Sequence, residues 1–199
     1  MTASVDRVVT DGAVDASAIV RVAAPADAPA IARVRIDAWR STYRGMIPDA
    51  YLDGMSVDES EAHWRRILQA APGRFAVFVA AQGGTVVGFA AGHTLDPPKL
   101  GCDAELSAIY LAADHRRTGI GRRLAGTVAA AQRGHGATAL LTWVIAGNRP
   151  ARAFYEALGA ELLVEQPFQW DGIDLVEAGY AFRDLDRLVA ACGGMAALH

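Results

Sequence analysis

The sequence predicts a single α/β domain whose mixed, mostly antiparallel sheet is flanked by helices, and three observations carry that expectation. The chain has 199 residues, 52% of them hydrophobic, which suits one domain with a substantial core. Segments with helical spacing alternate with β-forming runs along its length. Two pairs of strand-like runs meet at glycine-bearing turns and read as hairpins, whereas one strand–helix–strand succession reads as a parallel unit.

The elements follow in order. Residues 1–17 lack a sustained period and read as a flexible tail. "AIVRVA" from Ala18 alternates as a strand, and Ala28, Ile31, Ala32, Arg35 and Trp39 fall at helical spacing. After turn residues around Tyr51, Ser56 with Glu59 three residues on forms a capping-box signal for a second helix. "RFAVFVAAQ" and "TVVGFAAGHTL" meet at Gly83-Gly84, a hairpin. "AELSAIYLA", a helix from Gly119 with Ile120, Leu124 and Val128 on one stripe, and "ATALLTWVI" make the β-α-β unit. Asn148 is placed to cap the next helix and Gly159 to end it, and a closing hairpin turns at Asp171-Gly172. The domain thus runs over 18–185, with 186–199 a short C-terminal helix or tail.

Composition narrows the function. A net charge of −3 argues against nucleic-acid partners, which select a strongly basic face. No stretch approaches the ~18 apolar residues of a membrane span, and no basic head precedes an apolar run. Two cysteines, Cys102 and Cys192, form no short metal spacing or disulfide framework, so a cytoplasmic protein with reduced thiols is expected. Neither a Gly-x-Ser-x-Gly elbow nor a chelating histidine spacing occurs, which leaves no metal site and no serine nucleophile.

"HRRTGIGRRL", His115–Leu124, carries the chemistry. Gly119 and Gly121 omit β-carbons where backbone amides can approach an anion, and the following helix adds its positive N-terminal end. A P-loop requires Lys-Ser or Lys-Thr after its last glycine, but Arg122-Arg123 stand there; a dinucleotide fold requires a third glycine, but position 124 is leucine. Arg116-x-x-Gly119-x-Gly121, after "ELSAIYL" and before a helix, instead resembles the coenzyme A pyrophosphate loop of the GNAT acetyltransferase superfamily. "NRPARAFYEALGA" resembles that family's second signature, and "AWRSTYRGMIPDAYLDGMS" the first-helix region of many bacterial members. The resemblance covers most of Ile19 to Phe182.

The resemblance implies a GNAT-like sheet splayed between its fourth and fifth strands, acetyl-CoA as co-substrate, and direct acetyl transfer to an amine acceptor in a ternary complex. It assigns the pyrophosphate to backbone amides of Arg117, Thr118, Gly119, Ile120, Gly121 and Arg122, with Arg116 shaping the loop or adding charge. Ile109, Tyr110 and Leu111 would pair with the pantetheine arm as an added strand, and Asn148 would stand close to it. Glu105 is the candidate base and Tyr155 the candidate acid, because a protonated amine must lose a proton and the departing thiolate must gain one. Tyr43, Tyr51 and His93 are candidates for the acceptor side, His93 being also the second candidate for the base, with Cys102 a bystander. The acceptor is a small molecule or a protein N-terminus, and exposed closing strands are compatible with a homodimer. The rival reading is a non-catalytic acyl-CoA binding or sensing module.

Overall fold

A computed structural model describes residues 18–70 and 75–193. The expected tail at 1–17 lies outside them. Seven strands form one sheet among these residues, in the order β1-β2-β3-β4-β5-β7-β6. They are β1 (Ile19–Val22), β2 (Phe75–Gln82), β3 (Thr85–Lys99), β4 (Cys102–Leu111), β5 (Leu140–Ile145), β6 (Glu161–Trp170) and β7 (Ile173–Phe182). All neighbours pair antiparallel except β4 and β5, the parallel pair that the strand–helix–strand succession requires.

Helices α1 (Ala28–Thr42) and α3 (Val57–Gln69) cover one face across β2 and β3, where Ile31, Val34 and Trp64 meet Val77, Val79 and Phe89. Helices α4 (Ile120–Gly134), α5 (Arg149–Ala157) and α6 (Leu185–Ala191) cover the other, with Leu124, Val128, Tyr155 and Leu188 against Leu106, Leu140 and Tyr180. Two helices were expected before the hairpin, and a third, the short α2 (Asp49–Gly54), lies between them. Pro48 occupies its N-cap, where a residue without an N–H loses nothing. Ser56 caps α3 as expected, accepting from the Glu59 amide at 3.2 Å.

Two further boundaries differ from the sequence reading. β3 was expected to end near Leu95 ahead of Pro97-Pro98, yet it runs to Lys99 and turns back through Leu100 and Gly101. The prolines are tolerated because the β3–β4 register shifts between Thr94 and Lys99, where no regular ladder requires their amides. β5 starts at Leu140 rather than Ala137 because the Asp103 carboxylate takes the amides of Thr138 and Ala139 (2.9–3.0 Å) and the Thr138 hydroxyl (2.8 Å).

The feature that positions the site is the divergence of β4 from β5. They pair only at Ala104↔Leu140 and Glu105↔Leu141 and then separate, as expected of a sheet splayed between its fourth and fifth strands. A bulge accompanies the separation: Ala91 faces Ala108 and Gly92 faces Leu106, so Ser107 is the extra residue, and its hydroxyl donates to Ala91 O at 3.2 Å.

Candidate active site

The loop before α4 is built to present amides. Arg116 N donates to Ala113 O (3.3 Å) and the backbone ladder resumes only where Arg123 N donates to Gly119 O (3.1 Å), so the amides of Arg117 to Arg122 precede the helical ladder. Gly119 is left-handed (φ 86°) and so is Arg117 (φ 62°), which folds successive amides into a concave nest. A β-carbon on Gly121 would stand 3.3 Å from Leu111 Cδ1 and 3.6 Å from the Phe154 ring, so the helix start lies tight against β4 and α5.

Side chains around the loop hold its shape. Arg116 reaches α1, donating to Ser41 Oγ at 2.8 Å and Thr42 Oγ1 at 3.3 Å. Thr118 closes the turn on His115 O (2.7 Å), and Ile120 is buried in the core, so each can offer only its amide. Arg122 donates to Ala191 O and Arg123 to Ala18 O. The Arg117 side chain has no hydrogen-bond or ion-pair partner among the described residues.

A cavity of about 780 Å³ extends from this loop into the β4–β5 gap. Its wall includes Tyr43, Ile109, Tyr110, Leu111, Arg116, Arg117, Gly119, Gly121, Arg122, Asn148 and Tyr155. Ala112 N donates to Val87 O at 2.9 Å, and antiparallel alternation then assigns the polar groups of Tyr110 to β3 and turns those of Ile109 and Leu111 toward the gap. Tyr110 contributes its side chain instead, tilted against Phe89 with ring centres 5.6 Å apart.

Asn148, 5% exposed, caps α5 by accepting from Ala151 N at 3.2 Å, so one buried side chain both starts the helix and faces the cavity. Tyr155 is 6% exposed among Phe154, Tyr180 and Phe182, and burial pushes its phenol up to about 12. It is therefore protonated at neutral pH. Burial likewise raises Tyr43 and Tyr110, so each phenol facing the cavity is a donor rather than a phenolate.

Three candidates lie outside this wall. Glu105 sits at the last paired position before the gap opens, opposite His93 on β3 and Leu141 on β5. Burial raises its carboxyl, Glu177 adds to the rise and Lys99 opposes it. His93 stacks on Phe75 (4.9 Å, 2° between planes), and burial lowers its pKa. Tyr51 accepts from Trp170 Nε1 at 2.8 Å and so ties α2 to the tip of the β6–β7 hairpin. Trp143 was not singled out from sequence, although the alternation of "LLTWVI" places this one aromatic on the same face as Leu141; it lines the cavity. Among the described residues no cluster of His, Cys, Asp or Glu could hold a metal ion.

The family model described as "Acetyltransferase (GNAT) family" matches residues 36–160, which holds both the amide loop and the Asn148 helix. The chain belongs to the GNAT acetyltransferase family. An uncharacterized N-acetyltransferase of Bacillus subtilis, YuaI, is 37% identical over 171 residues, covering 85% of this chain and 95% of the relative. The PaiA N-acetyltransferase of Thermoplasma acidophilum, solved in complex with coenzyme A, shares the fold at TM-score 0.65 and 19% identity, over 81% of this chain and 98% of that one. The YncA protein of Salmonella typhimurium, solved with acetyl-CoA, aligns at TM-score 0.62 and 18% identity, over 83% and 93%.

Proposed function

We propose that this GNAT member is an N-acetyltransferase that moves the acetyl group of acetyl-CoA directly to an amine, with Glu105 as base and Tyr155 as acid. The observation that carries the reading is the continuity of one cavity from the amides of Arg117–Arg122, through the β4–β5 gap, to the Tyr155 phenol. This one cavity combines an anion cradle, a stretch of β4 that has parted from β5 and a protonated donor. Two fold neighbours were solved with coenzyme A or acetyl-CoA, the ligand this reading assigns to the cradle.

Acetyl-CoA supplies an acetyl thioester, an acyl group already activated for attack by nitrogen. The amides of Arg117–Arg122 hold its pyrophosphate, and the polar groups of Ile109 and Leu111 pair with the amide-bearing arm as an added strand would. Glu105, at the apex of the gap where β4 and β5 part, accepts the proton that the ammonium must lose before its lone pair can attack. The nitrogen–carbonyl bond forms, the carbon–sulfur bond breaks, Tyr155 donates to the sulfur as negative charge develops there, and the second proton that the nitrogen sheds as the amide forms restores the phenol. No covalent enzyme intermediate is needed: both cysteines are buried and burial raises both thiols, the reverse of what activates a nucleophile. No helix of the described residues is long and apolar enough to cross a membrane, and cytoplasmic action is the reading consistent with free thiols. A small amine or a protein N-terminus is the acceptor class, with no nucleic acid or membrane partner, and the exposed Leu162 and Val176 on the closing strands are the surface a homodimer would use.

Thiol release from acetyl-CoA against a panel of primary amines tests the reading. Amine-dependent release is expected; tight acetyl-CoA binding without release for any amine would favour the sensing module instead.

A further inference from the structure

Beyond the cavity, the face of β5 and β7 opposite α4–α6 is covered at both ends and half-open in the middle. At one end Trp39, Tyr43 and Leu52 pack on Ile145, Ile173 and Leu175. At the other, Leu95 packs with Leu141 and Ala181. Between them lies Trp143, with Glu105 level with Leu141 on one side and Glu177 level with Ile145 on the other, all three half-buried. Trp143 lies flat on β7 because position 179 is glycine, where a β-carbon would come within 2.8 Å of the indole. Gln166 on β6 holds the Glu177 carboxylate through a 2.8 Å hydrogen bond.

Onto this floor the chain places its own ammonium. Lys99, the one lysine in the sequence, stands beside the β3–β4 turn, and its Nζ lies 4.6 Å from the centre of the Trp143 ring. The turn is fixed, since Arg183 donates to Leu100 O and Gly101 O at 3.4 and 3.1 Å. An ammonium over an indole face is a favourable pairing that strengthens when water is excluded. The ring beneath it is flanked in register by two carboxyl-bearing residues, Glu105 level with Leu141 and Glu177 level with Ile145.

We propose that Trp143, Glu105 and Glu177 form the seat for the acceptor's ammonium, that the seat selects an unbranched primary alkylammonium, and that the Lys99 ammonium occupies it until an acceptor displaces it. The inference rests on the acetyl-transfer reading for its purpose but stands on separate residues. Three placements support it. Trp143 belongs to both the seat and the cavity wall, so a cation on its ring is adjacent to the donor space. Glu105 is the last residue paired before β4 and β5 part, so the seat adjoins the apex of the gap. The occupant the protein itself supplies is a primary ammonium on a four-carbon stem, the shape of an aliphatic diamine or a lysine side chain. A branched α-amino group lacks that stem.

Calorimetric titration of 1,5-diaminopentane into the protein saturated with coenzyme A tests the seat without relying on turnover. Saturable binding is expected, weakened about fivefold or more in Trp143→Leu and less in Trp143→Phe, whose ring keeps a weaker negative face. Lys99→Ala, at an exposed position, should tighten binding about threefold or more because the resident competitor is gone. Nα-acetyl-lysine methylamide distinguishes a peptide source from a free diamine, and a peptide with an N-terminal alanine serves as the branched control. Absent diamine binding, binding indifferent to both the Trp143 and Lys99 changes, or a preference for the alanine peptide would overturn the proposal. Failure of the acetyl-transfer reading would show instead as no thiol release alongside intact diamine binding.

Discussion

Replacing Tyr155 by phenylalanine removes one hydroxyl from the cavity wall and leaves the ring among Phe154, Tyr180 and Phe182, whose centres lie 5.4, 6.2 and 6.4 Å away. The packing is unchanged, and Thr142 already donates to Leu106 O at 3.0 Å, so no buried donor is orphaned and the stability cost is only about 1 kcal/mol. The kinetic cost follows from the acidity of the group. Burial pushes the phenol up to about 12, whereas an ordinary thiol titrates near ~8.5. Full proton transfer to the departing thiolate is therefore uphill, and the phenol acts chiefly by donating a hydrogen bond as charge develops on sulfur. General acids contribute roughly 10²–10⁴ in rate, and this mismatch places Tyr155 near or below the lower end, a fall of about ten- to a hundredfold in kcat. Acetyl thioesters of less basic thiols should recover part of it. The assay is steady-state thiol release with one accepted amine, beside the rise in melting temperature that acetyl-CoA produces. Turnover within twofold of wild type would refute the acid role, and equal loss of turnover and melting shift would make Tyr155 a cofactor contact.

Three shorter predictions probe the rest of the site and the fold that supports it. Gly121→Glu places a side chain and a negative charge at the helix start against Leu111 and Phe154, and should abolish the acetyl-CoA melting shift in a protein that still melts cooperatively. If Glu105 is the base, the acidic limb of the kcat/KM–pH profile lies above the ordinary glutamate value of ~4.3 because burial raises its carboxyl. Glu177→Gln should then move that limb down, and Lys99→Ala should move it up, since the first removes a repelling charge and the second a stabilising one. Asp103→Ala frees the amides that start β5 and should cost about 1–2 kcal/mol in thermal melts at neutral pH. The Asp103 carboxyl is lowered in the folded protein, so its stabilisation is present above the unfolded value of ~3.9 and lost as pH falls through the folded one; wild type and variant should converge in acid.

The parts of the fold legible in the sequence were those fixed by local chemistry. Gly83-Gly84 and Asp171-Gly172 mark real hairpins, Ser56 and Asn148 cap the helices they precede, and Gly119 takes the left-handed conformation only glycine adopts cheaply. What local chemistry could not carry was long-range. The extension of β3 past two prolines depends on a register shift against β4, and the late start of β5 depends on a carboxylate 35 residues earlier. The same division runs through the site. The amide loop is contiguous in sequence and was readable, whereas Trp143 has meaning only through Gly179 beneath it and Lys99 above it, residues brought together from β7 and the β3–β4 turn. Arginines in the loop also behave differently from what their number suggests: Arg116, Arg122 and Arg123 brace neighbouring elements, which leaves the proposed anion site to the backbone amides.

The central claim is that one continuous cavity holds acetyl-CoA, with its pyrophosphate on the amides of Arg117–Arg122 and its arm along β4. Backbone-amide NMR of isotope-labelled protein titrated with coenzyme A tests this at the atoms concerned. The largest shifts should fall on Gly119, Gly121 and their neighbours in the loop, with a second group at Ile109 and Leu111 on β4, saturating together at one affinity. Saturable binding whose shifts cluster away from both segments, or shifts in the loop without any along β4, would contradict the account.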